Sequence, residues 1–170
     1  SLYNCQIRNT TNYIIDAYHA NVKAIGCELT DASQGIVRLT GGNHIFNHCT
    51  IANYYLFTVL GGPAIQLAHL NHDMIDEESG SLPFIAADFT NTIIYGNGTE
   101  LSHGDLTGTN VTLRRCLLKS EGTDDDNFIN CLWDADPLYY TVRNEYLFDY
   151  RLQPESPAIG AADPAYDNYG

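Results

Sequence analysis

One spacing constrains this chain more than any other feature. Cys5, Cys27 and Cys49 follow one another at steps of 22 residues. Three further columns keep the same step: Ile7, Leu29 and Ile51; Asn9, Asp31 and Asn53; and Ile15, Val37 and Val59. Four columns in one register, each keeping its chemical character, mark an internal repeat. Around each cysteine the sequence alternates as "CQI", "CEL" and "CTI". Cys and the aliphatic residue share one face, while Gln6, Glu28 and Thr50 face the other way, which is strand periodicity. The Asn/Asp column supplies residues that tolerate left-handed turns. No stretch combines helical spacing with caps.

A unit this short cannot bury its apolar face alone. Stacking copies solves the problem, because each strand then pairs with its counterpart in the next unit. The spacing therefore predicts an all-β parallel solenoid that repeats about every 22 residues. The repeat loosens after Ile51, and the polar, acidic segment "LNHDMIDEESGSLP" (70–83) reads as part of a long loop over about 69–86. The coil resumes with "ADFTNTIIYGNGTEL" (87–101), where Asn91 and Ile93 are expected in the places of the Cys and the aliphatic residue. "VTLRRCLLKSEG" brings a copy around Cys116, and "NFINCLWDAD" a last, degenerate one. The total is about six coils, above the minimum of about three for a stable solenoid.

These residues resemble the bacterial right-handed parallel β-helix proteins of the pectin-lyase-like superfamily, through phrases such as "FTNTIIYGN" and "CTIANY". The last fifth is similar to the C-terminal segment of secreted choice-of-anchor Q β-helix proteins. Asp136, Pro137, Leu138 and Tyr139 match its first phrase, and Leu152, Ser156, Pro157, Ala158 and Ile159 its second. The resemblance implies a right-handed parallel β-helix over 1–133, then a cap over 134–170 rich in aromatics and proline. It also implies an extracellular or outer-surface setting on a bacterium, with a polysaccharide or cell-surface glycan as partner. Relatives in this superfamily include polysaccharide lyases, glycoside hydrolases, adhesins and phage tailspikes. In the cap, Pro137, Pro154 and Pro157 interrupt strand pairing. Trp133, Tyr139, Tyr140, Tyr146, Phe148 and Tyr150 are expected to cover the open apolar end of the last coil. The alternative is that this aromatic cluster binds sugar rings. Because "SLYNCQIRN" already reads as the middle of a fold, upstream sequence is expected to have been removed.

Charge narrows the partners. Asp plus Glu outnumber Lys plus Arg by 21 to 8, giving a formal net charge of −13. Such a surface repels nucleic acid, whose affinity comes mainly from phosphate neutralisation. It repels anionic headgroups as well. No apolar run approaches the roughly 20 residues that span a membrane.

Four sets of residues can carry chemistry. Asp124, Asp125 and Asp126 in "TDDDNF", with His103 in "SHG", offer hydrolytic carboxylates of the kind used by pectin-hydrolysing relatives. The competing reading is a solvated turn that can hold Ca2+. Arg114, Arg115 and Lys119 in "LRRCLLK" offer cations for a uronate in β-elimination. Alternation places Arg114 opposite Arg115 unless the strand bends, and the net charge opposes a polyanion. His69, His72, Asp73 and Asp76, with Glu77 beside them, offer mixed metal ligands and a binding loop. Cys49 beside His48 and His44 suggests a Cys–His nucleophile or a metal site. An inward Cys49 places His48 outward, and His44 also if the strand is unbroken. Stacked cysteines lie about 4.8 Å apart, too far for a disulfide's Cβ separation of about 3.8 Å. The ladder is therefore expected to be reduced. The sequence favours an extracellular β-helix module that presents loops to a glycan or a surface without catalysis of its own; the alternative is a polysaccharide-active lyase or hydrolase.

Overall fold

The computed structural model describes residues 1–68, 85–142 and 148–167. Coil one carries β1 (Leu2–Tyr3), β2 (Gln6–Thr10) and β3 (Ile15–Tyr18). Coil two carries β4 (Val22–Ile25), β5 (Glu28–Ala32) and β6 (Val37–Thr40). Coil three carries β7 (Asn43–Asn47), β8 (Thr50–Asn53) and β9 (Ile65–Ala68), and coil four β10 (Ala86–Thr90), β11 (Ile93–Gly96) and β12 (Leu101–Ser102). Coil five keeps β13 (Asn110–Arg114) and β14 (Leu117–Leu118), and coil six β15 (Phe128–Ile129). Like strands pair in parallel through the stack, in sheets of six, five and four strands. The protein is a parallel β-helix of six coils.

Each sheet sends side chains inward in columns, the longest of which runs through every strand of the sheet. From the first sheet it is Leu2, Ala24, Phe46, Phe89, Leu113 and Phe128, in direct register from coil to coil. Phe46 and Phe89 stack with ring centroids 4.9 Å apart. The second sheet contributes Ile7, Leu29, Ile51, Ile94 and Leu118. The third contributes Ile15, Val37, Ile65 and Leu101. Ile65 thus takes the place expected for Val59. The step from Val37 to Ile65 is 28 residues because "YYLFTVLGGP" (54–63) bulges out between β8 and β9, and Val59 is 90% exposed on it.

The corner between the first and second sheets explains the cysteines. Asn4, Gly26, His48, Asn91, Arg115 and Asn130 all hold positive φ there. Each is followed by a Cys or, once, a Thr: Cys5, Cys27, Cys49, Thr92, Cys116 and Cys131. The thiol or hydroxyl of each lies over the carbonyl two residues earlier, as with Cys27 on Ile25 at 3.3 Å and Thr92 on Thr90 at 2.9 Å. Thr92, not Asn91, therefore takes the place of the cysteine, and Ile94, not Ile93, the place of Ile51. All five cysteines are free.

The left-handed residue at each corner also resets the inward–outward alternation. His44 faces inward with Phe46 rather than outward, is fully buried, and has Nε2 2.7 Å from the Gly41 carbonyl. In the third column, Asn9 and Asp31 hold φ of 63° and 64°. Asn53 acts through its side chain instead, bonding the Ala32 N–H and C=O at 3.2 and 2.8 Å.

After coil six the chain turns back along the side of the helix. β16 (Tyr139–Thr141) and β17 (Asp149–Leu152) form an antiparallel hairpin. Tyr139 and Tyr150 pack on Ala52, with Tyr54, Ile93, Tyr95 and Phe148 around them. Tyr139, Phe148 and Tyr150 thus cover the flank of the second sheet rather than the open end, where Trp133 packs on Phe128 at 5.0 Å. The flank needs covering because Ala52, Ile93 and Tyr95 are apolar residues on the outward phase of their strands. Tyr146 lies outside the described residues. Among the described residues no helix is long and apolar enough to cross a membrane.

Candidate functional site

A cavity lies where this hairpin meets the coil. Tyr95 stands on the outward phase of β11, and Tyr54 follows β8 directly. Tyr54 is fixed by its own N–H on Asp31 Oδ1 at 3.0 Å and by edge contact with Tyr139 at 6.4 Å. The Tyr150 hydroxyl, 2.6 and 2.8 Å from the two Asp31 oxygens, donates to that carboxylate and pins the hairpin. Burial holds the Asp31 carboxyl above its usual range, and the Tyr150 bond partly offsets this. Burial likewise pushes the Tyr150 hydroxyl up.

The far wall is the segment 136–140. Leu138 holds φ of 53°, an outlier for a bulky residue. It is kept there by its N–H on Asp136 Oδ1 at 2.8 Å and its carbonyl under the Gln153 N–H at 2.9 Å. Gln153 Nε2 adds a bond to the Tyr139 carbonyl at 2.9 Å. Between these walls lies a cleft of about 600 Å³, inside the range of ligand pockets. Tyr54, Tyr95 and Tyr140 give it aromatic walls; Lys119, Asp136 and Gln153 give it polar ones. Lys119 Nζ is held by the Gly96 and Gly98 carbonyls at 3.0 and 3.1 Å. Tyr139 lines the same cleft, is 5% exposed, and its hydroxyl has no hydrogen-bond partner among the described residues.

The residues singled out in the sequence go to other places. Asp124 accepts from the Asn130 and Cys131 N–H groups and the Trp133 indole. Asp125 accepts from the Asn127 and Phe128 N–H groups. Both carboxylates thus build the turn into coil six, with Asp126 exposed beside them. His103 and Asp125 do share a cleft of about 280 Å³ with Glu100 and Trp133. There the His103 ring lies against Phe128 at 5.9 Å, and Glu100 accepts the Ser120 N–H at 2.7 Å.

The three cations do not form one groove. Arg114 lies over the Tyr166 ring at 5.3 Å. Arg115, at the left-handed corner, lines a 190 Å³ crevice under Ala158 and Ala161. Lys119 belongs to the tyrosine cleft. The bend that would let Arg114 and Arg115 act together exists, but it serves the C-terminal segment. That segment also bonds Asn91 through the Asp163 N–H at 2.7 Å and His48 through Asp167 at 2.9 Å.

Cys49 is buried, and burial pushes its thiol up to about 12. His69, His72, Asp73, Asp76 and Glu77 lie outside the described residues. Among the described residues no group of three or more His, Cys, Asp or Glu is placed to hold a metal ion. Compared with family models, with curated proteins and with solved structures, the chain matches none of them.

Proposed function

We propose that this chain is an extracellular β-helix module that binds a glycan without cleaving it. The observation that carries this reading is how the reactive side chains are employed. Asp124 and Asp125 hold a turn, Arg114 holds Tyr166, and Cys49 is sealed in a corner. Glycoside hydrolysis needs two carboxyl groups free to face one bond. The cleft beside the hairpin is walled by tyrosines, whose rings suit the apolar faces of sugars. The resemblance of the repeat to pectin-lyase-like proteins, and of the last fifth to choice-of-anchor Q proteins, supports a bacterial outer-surface setting.

The test is a panel of neutral and acidic polysaccharides. Each is assayed for retention of the chain by affinity electrophoresis and for new reducing or unsaturated ends. Retention without new ends is the expected outcome. New ends that disappear in Asp125→Asn or Arg115→Ala would overturn the reading in favour of a hydrolase or a lyase.

A further inference from the structure

We infer that the cleft where coils four, five and six meet is a subsite for a protonated amino sugar, held by Glu100, Glu121 and Asp125. This inference rests on the glycan-binding reading and gives the module a second place and a sugar class.

Three observations carry it. First, the cleft holds a buried carboxylate with an oxygen to spare. Glu100 is 7% exposed and lines the cavity of about 280 Å³. The Ser120 N–H and hydroxyl both donate to its Oε1, while its Oε2 has no hydrogen-bond partner among the described residues. Nor is Oε2 walled in: the enclosed unpartnered atoms of the described residues lie elsewhere, on Glu28, Thr30, His44, Asn47 and Tyr139. Buried polar groups are nearly always bonded, and an exception calls for a water, an ion or a ligand. Asp125 repeats the arrangement at the exposed rim. Its Oδ1 accepts the Asn127 and Phe128 N–H groups at 2.7 and 2.8 Å, and its Oδ2 has no hydrogen-bond partner among the described residues. Each carboxylate is thus fixed through one oxygen and leaves the other for a ligand. Second, no cation of the chain answers them. Among the described residues, the ion pairs join Arg8 to Glu28, Arg38 to Asp16, His48 to Asp167 and Arg151 to Asp149. No Lys or Arg among the described residues lines the cleft, and Lys119, next to Ser120 in the chain, turns its Nζ to the Gly96 and Gly98 carbonyls. Buried charges are normally paired or bound to a metal. Among the described residues no group of three or more His, Cys, Asp or Glu is placed to hold a metal ion, so the complement is an organic cation. Third, the rest of the lining suits a sugar that carries the amine. The His103, Phe128 and Trp133 rings give the cleft an apolar side, and Thr123 adds a hydroxyl. An amino sugar sets an ammonium and hydroxyls around one ring. Its ammonium meets Glu100, its hydroxyls donate to Asp125 and Glu121, and its C–H face meets the rings. A lysine side chain brings the ammonium alone and leaves the rim carboxylates without donors.

The experiment titrates the 170-residue chain by calorimetry with glucosamine hexaose, its N-acetylated counterpart, cellohexaose and hexalysine, below the pKa of the sugar amine. Glu100→Gln and Glu121→Gln are compared with Glu155→Gln, an exposed carboxylate outside the cleft. Each variant removes one negative charge, so all three change the general attraction of the chain for a polycation alike. The expected result is tighter binding of glucosamine hexaose than of either neutral hexaose. Glu100→Gln weakens it about tenfold and Glu121→Gln several-fold. Glu155→Gln leaves it unchanged, and all variants melt as cooperatively as the parent. Glu121 is exposed, so Glu121→Gln also covers the case in which Glu100→Gln disturbs the fold. Saccharide binding that ignores both cleft variants would overturn the cleft and leave the glycan-binding reading standing. Neutral hexaoses that bind as tightly as glucosamine hexaose, with the same losses, would overturn the amine alone. Hexalysine that binds as tightly, with the same losses, would overturn the sugar in favour of a basic peptide. No binding of any saccharide would overturn both readings.

Discussion

At the scale of single residues, the corner column shows why one position accepts Cys five times and Thr once. The position must be small, mostly apolar, and able to donate one hydrogen bond back across a left-handed turn. Cys does this with a weak S–H donor and little desolvation cost; Thr92 does it with a hydroxyl. Such thiols are inert. With the Cys49 thiol held up to about 12 by burial, the thiolate fraction near neutral pH is negligible. A thiol reagent at pH 8 is therefore expected to label at most the partly exposed Cys5 and Cys131 in the native chain, and all five after denaturation. Asp31 carries the opposite logic, a charge kept in the interior. Burial raises its folded-state pKa above the unfolded value, so the native state binds the extra proton between those two values. Its contribution to stability consequently falls as pH rises through that window and is flat above it. Asp16, lowered by its bond to Arg38, and Asp149, lowered by Arg151, slope the other way. Denaturant melts of the parent and Asp31→Asn across acidic pH separate these terms. The parent-minus-variant stability is expected to decline with rising pH through the acid range.

At the scale of elements, the Tyr150 hydroxyl anchors the hairpin to the coil through Asp31. Tyr150→Phe leaves the buried Asp31 carboxylate with the Tyr54 N–H but without its hydroxyl donor. The expected cost is about 1–3 kcal/mol by chemical denaturation. The turn from the third sheet to the first is less forgiving. Gly42 holds φ of 78°, and a Cβ there would lie 1.9 Å from the Ala20 carbonyl oxygen. Gly42→Ala should cost well over about 1 kcal/mol, measured the same way. The strands themselves are legible in the sequence wherever the 22-residue step holds, and the inward columns through Ile51 can be read directly. Legibility fails for physical reasons at two points. The bulge 54–63 lengthens one coil without changing the strands around it, so a fixed step lands on exposed Val59 instead of buried Ile65. One coil later a hydroxyl does the work of a thiol, so a search keyed on cysteine slips by one residue at Thr92. The tyrosine cleft leaves no spacing signal. Its walls come from three coils and a hairpin that meet only after the chain folds back, and Tyr54 and Gln153 are 99 residues apart. The aromatic richness of the last fifth is visible in the sequence and points to closure of the open end, whereas Tyr139, Phe148 and Tyr150 clothe a flank, because the fold-back of the chain leaves no periodic signal.

At the scale of the whole molecule, stability is shared between neighbours, because each coil touches only the one before and the one after. Burial along a column therefore measures how completely a coil is sandwiched. In the second sheet's inward column, Leu29, Ile51 and Ile94 are fully buried, while Ile7 on coil one is half-buried. Among the described residues β2 pairs on one side alone, with β5. Truncating a side chain deletes buried area plus whatever cavity cannot collapse. Leu29→Ala opens a cavity between two covering coils and is expected to cost about 2–5 kcal/mol. Ile7→Ala removes a side chain that water already reaches, so the same chemical change should cost clearly less. Hydrogen exchange distinguishes this gradient from a uniformly cooperative block. Amides of β2 and β3 should open below the global free energy, while those of β5, β8 and β11 should exchange only with global unfolding. Equal protection in all the coils, or equal costs for Ile7→Ala and Leu29→Ala, would mean that the solenoid folds as one indivisible unit.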